Sequence, residues 1–299
     1  MMKRYFPVGM AIALGMAIAP SAHATTLNWS YTYDSTNDGY SGGVVGADSA
    51  YELYYAAFSA DSDRFYFAFN SNMPYGGVSA VGAQGNHVSW GDLFLNFSSQ
   101  PFSTTNTAEH LYGIRFIESN DSGVSELGLY SNVMAQSVTS TNFGFDSLSA
   151  YRNSVQAVGG TPSLGGLPVN TDYFDQNGNV LNVIKTGTRI ADVDVLTDEQ
   201  LSGLTPGDGQ YTYGVSVDRS ILPTGDFVAS LFAECANDSI ALIASNPEVE
   251  NVDDPILDEP TDVTVDDVEE VPEPSAVLSM VLVGGGFIAR RSRRRAASS

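Results

Sequence analysis

The sequence predicts an all-β fold: an antiparallel two-sheet sandwich of jelly-roll type over residues 25–247. Three observations predict it. Short runs rich in β-branched and aromatic residues recur, turn residues bound each run, and sustained helical periodicity is almost absent. No period of 20–50 residues repeats, which argues against a solenoid or propeller.

The elements follow in order. Residues 51–58 (YELYYAAF) and 64–69 (RFYFAF) enclose the polar tip Ser59-Ala60-Asp61-Ser62-Asp63, a hairpin. Residues 87–97 (HVSWGDLFLNF) read as one long strand with Trp90 in the core. Residues 111–118 and 124–132 flank Asn120-Asp121-Ser122-Gly123, a second hairpin. Residues 180–184 follow Asn177-Gly178, a pair suited to a type I′ turn. Residues 211–217 and 227–235 flank Leu222-Pro223-Thr224-Gly225-Asp226, a third hairpin. The one expected helix starts at Thr197, with Gln200 closing a capping box.

Within 227–235, alternation places Phe227, Ala229, Leu231, Ala233 and Cys235 on one face. Cys235 is the only cysteine, so no internal disulfide forms and the domain depends on its core. It reads as a buried packing residue, because the adjacent Glu234 disfavours a thiolate.

The two ends differ from the middle. Residues 1–24 start with Met1-Met2-Lys3-Arg4, continue with an apolar run and reach Ala22-His23-Ala24, the pattern of a secretory signal cleaved after Ala24. Residues 248–271 form an acidic linker interrupted by Pro255 and Pro260. Like charges extend such a chain and prevent a core, so it reads as a disordered stalk. Residues 272–299 hold Pro272-Glu273-Pro274, an apolar stretch at 276–289 and a basic cluster of Arg290, Arg291, Arg293, Arg294 and Arg295. Fourteen apolar residues span roughly 21 Å as a helix, short of the ~30 Å hydrocarbon core, and the arginines hold that end at the cytoplasmic face.

This three-part tail resembles the PEP-CTERM sorting signal, which is also labelled an ice-binding-protein C-terminal domain. The resemblance implies a short C-terminal transmembrane sorting helix, an exosortase as processing partner, and a producer of exopolysaccharide. Residues 51–70, 90–97 and Glu234-Cys235-Ala236-Asn237-Asp238 are similar to segments of some exosortase-dependent surface proteins. The last of these usually reads Glu-Cys-Gly-Asn-Asp. Here Ala236 takes the place of the glycine, at a turn where alanine tolerates positive φ poorly.

Between the two ends stand six basic residues against 35 acidic ones, a net charge of −29 over residues 25–274. That surface repels nucleic acid and attracts cations. No H-E-x-x-H, G-x-S-x-G, P-loop or G-x-G-x-x-G is present, and beyond the signal only His87 and His110 remain. No catalytic residue is assigned, and the acids are too numerous for any one pair to mark a glycosidase.

No motif demands a cofactor; Ca²⁺ is the one candidate. Asp34-Ser35-Thr36-Asn37-Asp38-Gly39 offers Asp34, Asn37 and Asp38 before a turn-permitting glycine, and Asp192 and Asp194 share a face if their segment is a strand. Trp29, in the alternating stretch 27–31, is the candidate glycan contact, with Tyr31, Tyr33, Tyr40 and Tyr75 as further aromatic candidates, while Trp90, in a strongly apolar strand, reads as core.

The expected function is an exported, exosortase-processed extracellular or matrix-associated protein with a structural or adhesive role. It would be anchored briefly in the inner membrane and then displayed on the cell surface or in the matrix. The alternatives are a carbohydrate-binding module for exopolysaccharide and a secreted hydrolase. The expected partners are the export machinery, an exosortase and exopolysaccharide.

Overall fold

The computed structural model describes residues 27–105 and 110–248. The cleavage site at Ala22 and Ala24, the linker from 249 onward and the sorting signal with its arginines lie outside the described residues.

The described chain is almost entirely antiparallel β. Its strands are β1 (Ser30–Tyr33), β2 (Leu53–Ala60), β3 (Arg64–Ser71), β4 (Val78–Ser79), β5 (His87–Val88), β6 (Leu93–Asn96) and β7 (Leu111–Arg115). They continue with β8 (Gly128–Gln136), β9 (Val183–Ala191), β10 (Val193–Val195), β11 (Tyr211–Asp218), β12 (Gly225–Phe232) and β13 (Ser239–Asn246). Three helices join them: α1 (Phe102–Thr105), α2 (Leu148–Ala157) and α3 (Asp198–Leu201). One sheet has the order β1-β2-β3-β11-β10, another β13-β12-β6-β7-β8-β9, and β4-β5 is a separate hairpin.

The two large sheets share one core because their facing strands alternate. Phe65, Phe67 and Phe69 of β3 and Val215 and Val217 of β11 meet Leu93 and Leu95 of β6 and Phe227, Ala229 and Leu231 of β12. Phe227 anchors the contact, its ring 4.8 Å from Phe97 and 5.4 Å from Phe65. Cys235 belongs to this core, 1% exposed, with burial pushing its thiol up to about 12. The other residues of β12, including Phe232 and Val228, face a second cluster with Leu148 of α2, Leu164 and Phe174.

The β2–β3 hairpin forms where the sequence places it, with Asp61 Oδ1 accepting the amides of Asp63 and Arg64 across the tip. The capping box of α3 is present. Residues 111–118 and 124–132 pair as β7 and β8, with a longer connection than the Asn120–Gly123 turn alone.

Three sequence expectations need correction. Residues 211–217 and 227–235 form no hairpin: β11 and β12 lie in different sheets. Arg219 fixes that crossing, bonding Asn246 Oδ1, the Asp61 carbonyl and the Pro247 carbonyl while lying 5.3 Å from the Phe65 ring centre. The long strand 87–97 is split, because Ser89 and Asp92 turn aside to bond Glu234 and Asn182. Asn177-Gly178 closes no hairpin, since both amides bond Asp175 Oδ1.

Helix α2 was missed. Its signals are present: Ser147 caps Ala150 N, and Leu148, Tyr151 and Val155 recur at helical spacing on the buried side.

Candidate metal centre

A long loop leaves β1 after Tyr33 and returns to β2 at Leu53, so both of its ends lie at one end of the first sheet. It carries Asp34, Asp38 and Glu52 into the interior at that point. The turn between β12 and β13 brings Asp238 from the second sheet. Asp38, Glu52 and Asp238 are 0% exposed and Asp34 is 9% exposed. One oxygen from each of Asp34, Asp38 and Asp238 lies within 4.8 Å of those of the other two.

Main-chain donors hold Asp34, Asp38 and Glu52 by one oxygen each and Asp238 by both. Asp34 Oδ1 accepts from Gly165 N (3.2 Å). Asp38 Oδ2 accepts from Ser163 N (2.7 Å) and the Tyr151 hydroxyl (2.9 Å). Glu52 Oε2 accepts from Gly39 N (2.8 Å) and Gly46 N (3.0 Å). Asp238 Oδ2 accepts from Leu53 N (2.7 Å), and its Oδ1 from Ser239 N (2.7 Å). Gly39 is required at its position, since a Cβ there would sit 2.4 Å from Glu52 Cα.

The opposite oxygens are bare. Asp34 Oδ2, Asp38 Oδ1 and Glu52 Oε1 are buried without a hydrogen-bond partner among the described residues. The ion pairs found among those residues, Arg64–Asp194 and Arg189 with Glu126 and Asp192, lie elsewhere. Three ionised carboxylates within 4.8 Å of one another repel by at least about 3.5 kcal/mol per pair at an effective dielectric near 20. The three pairs sum to roughly 10 kcal/mol, comparable with a whole domain's net stability of about 5–15 kcal/mol. The cluster therefore takes up protons or a cation. Burial, reinforced by the neighbouring acids, pushes Asp38 up to about 9 and Asp238 well above the usual carboxylate range. Burial likewise raises Asp34 and Glu52 to about 7.

A second buried acid pair shows what a satisfied network looks like. Asp92 accepts from Asn120 Nδ2, Ser122 Oγ and Ile184 N, and Glu234 accepts from Ser89 N and Asp121 N. All four of those oxygens are occupied, so that pair is complete as it stands.

Asp34, Asp38 and Asp238 supply only hard oxygen ligands, the donor type of Ca²⁺, Mg²⁺ and Mn²⁺ rather than the imidazole and thiolate sets typical of Zn²⁺ or copper. A separation within 4.8 Å matches two Ca–O bonds of about 2.4 Å meeting at one ion.

Of the sequence candidates, Asp34 and Asp38 come together here. Asn37 does not join them; its Oδ1 accepts from Ser35 Oγ and Thr161 N, which ties two loops. Asp192 and Asp194 lie apart from this cluster. Asp194 lies on β10, four strands from β1 across the sheet, or roughly 19 Å at the usual strand spacing. It pairs with Arg64 at 2.5 Å, and Asp192 pairs with Arg189.

Glu52 and Asp238 escaped the sequence reading, although each left a signal. Glu52 is a lone acid in an apolar run, and Asp238 closes the Glu-Cys-Ala-Asn-Asp segment. In that segment Ala236 adopts φ 51°, so the turn keeps its shape despite the Cβ, and the Asn237 carbonyl accepts from Tyr40 N.

Trp29 packs with Leu201 and Leu204 over Tyr55, Ala57 and Ala68, which engages its indole with the chain's own residues. Tyr31 stacks on Tyr33, whose side is 62% exposed, while Tyr40 packs on Phe145 and Tyr75 on Phe116 and Tyr213.

No family model, no curated protein and no solved structure matches this chain.

Proposed function

We propose that this chain is an exported structural protein of the cell surface or matrix, sorted by an exosortase, whose two-sheet sandwich is completed by a bound Ca²⁺. The observation that carries the Ca²⁺ reading is the set of bare, buried carboxylate oxygens on Asp34, Asp38 and Glu52 beside Asp238. Unpaired buried charge is too costly to keep unless a partner compensates it. The ligands come from loops and turns that hold strands in place, so the ion's role here is mechanical.

The sandwich reading is supported by the shared core and by three passages between sheets: β3 to β6 by way of the β4–β5 hairpin, β9 to β10, and β11 to β12. A jelly-roll type requires such alternation; most other neighbours here are sequential hairpins. Ca²⁺ is abundant where the signal peptide and the Pro272-Glu273-Pro274 tail direct the chain, and extracellular modules bind it at about 10⁻⁴–10⁻³ M.

Calorimetric titration of Ca²⁺ into chelator-stripped protein should show one saturable site. Absence of binding at millimolar Ca²⁺ removes the metal reading. The sorting reading is tested by replacing Pro272, Glu273 and Pro274 with alanine, which should leave export intact and retain the uncut protein in the membrane. Equal release of variant and wild type into the medium would sink it.

A further inference from the structure

The candidate centre lies where the two large sheets meet at their edges. β1 is an edge strand of one sheet and β13 of the other. Asp34 follows β1 and Glu52 precedes β2, whereas Asp238 precedes β13. The bond from Leu53 N to Asp238 Oδ2 already crosses from sheet to sheet.

A strap reinforces this seam. After α2, residues 161–166 run across it and bond both edges. On the β13 side, Ala241 N donates to the Leu164 carbonyl (3.0 Å) and Gly166 N to the Ala241 carbonyl (2.8 Å). On the β1 side, Thr161 N donates to Asn37 Oδ1, Ser163 N to Asp38 Oδ2 and Gly165 N to Asp34 Oδ1. The strap therefore hangs on two of the acids that would hold the ion. At the opposite edge the chain itself passes from β9 to β10 through Asp192, so that side is joined covalently. With one cysteine, the β1–β13 side has no disulfide to join it.

We propose that cation binding acts as an inter-sheet rivet, controlling closure of the β1–β13 seam and docking of the 161–166 strap. This rests on the Ca²⁺ reading above and adds what occupancy regulates. With the ion bound, Asp34, Asp38 and Asp238 are fully charged and drawn together, which fixes the amides that bond to them. With the ion removed, nothing draws the three carboxylates together and those anchors loosen. The loop 34–52, the strap and the 236–241 turn then open as a unit. The inner strands β3, β11, β6 and β7 hold no ligand and keep their pairing. The seam closes fully only where Ca²⁺ is plentiful, which is outside the cell.

Hydrogen exchange on the intact chain, in millimolar Ca²⁺ or in chelator at one pH, tests this. In chelator, residues 34–53, 161–166 and 236–241 should exchange about tenfold or more faster than β3, β7 and β11, and Ca²⁺ should slow them about tenfold or more. The Asp38→Asn variant, which keeps the bonds from Ser163 N and the Tyr151 hydroxyl, should exchange in Ca²⁺ like wild type in chelator. If Ca²⁺ binds but the seam and the inner strands exchange at one common rate in chelator, the rivet is wrong while the metal site stands. If Ca²⁺ changes neither exchange nor melting, the metal reading fails and the rivet with it.

Discussion

Replacing Asp38 with asparagine separates the two states of the acid centre. In chelator near neutral pH, Asp38 is already protonated, because burial and its acidic neighbours raise it to about 9. Asparagine is nearly isosteric with that neutral acid. Its carbonyl can keep the bonds from Ser163 N and the Tyr151 hydroxyl, while its amide group takes the place of the bare Oδ1 and donates toward the neighbouring carboxylates. The metal-free variant should therefore be at least as stable as metal-free wild type, within about 1 kcal/mol, as expected where no buried group loses its partner. With Ca²⁺ the order reverses. A hundredfold excess over Kd stabilises the folded wild type by about 2.7 kcal/mol. At about 2–4 °C per kcal/mol for a domain of this size, Tm rises by about 5–11 °C. Asp38→Asn loses one of three carboxylate ligands and most of that rise. The assay is thermal unfolding of both proteins in Ca²⁺ and in EDTA. A variant that keeps the full Ca²⁺ shift would show that Asp38 is no ligand, and a metal-free variant several degrees below wild type would refute the protonation argument.

In chelator, stability should fall as pH rises from about 5 to 9. The folded chain holds protons on Asp34, Glu52 and Asp38 (about 7, 7 and 9) that the unfolded chain releases near 4, and Glu234 (about 7) acts in the same direction; a Tm that climbs with pH in EDTA contradicts this. Asp192→Asn and Asp194→Asn should leave the Ca²⁺-dependent rise in Tm unchanged, since both residues pair with arginines away from the centre; loss of the rise in either variant would place a ligand there. A thiol reagent should label Cys235 slowly in native protein and rapidly after denaturation, as burial holds the thiol at about 12. Cys235→Ala should cost about 1–2 kcal/mol, measured by denaturant unfolding; fast native labelling would mean an exposed thiol.

The sequence by itself determined the β character, the β2–β3 hairpin, the capping box at Thr197 and the face that buries Cys235. All of these are local: a period of two, a polar tip and a capping pair act over a few residues, so adjacent sequence carries the information. It also singled out Asp34 and Asp38, because acids before a turn glycine form a recognisable local pattern. Tertiary structure alone decided the rest. β11 and β12 are close in sequence with a turn between them, yet Arg219 reaches Asn246 and the carbonyls of Asp61 and Pro247 and carries the chain to the other sheet. Trp29 gave the same alternating signal whether its face met water or Leu201 and Leu204, and only packing distinguished these. Asp238 joins Asp34 across about 200 residues of chain, and no local pattern records such a meeting. The physical reason is common to all three cases. Strand alternation states which side of a strand is apolar, whereas which sheet lies opposite, and which distant charge lies beside it, depends on how the two sheets close on each other.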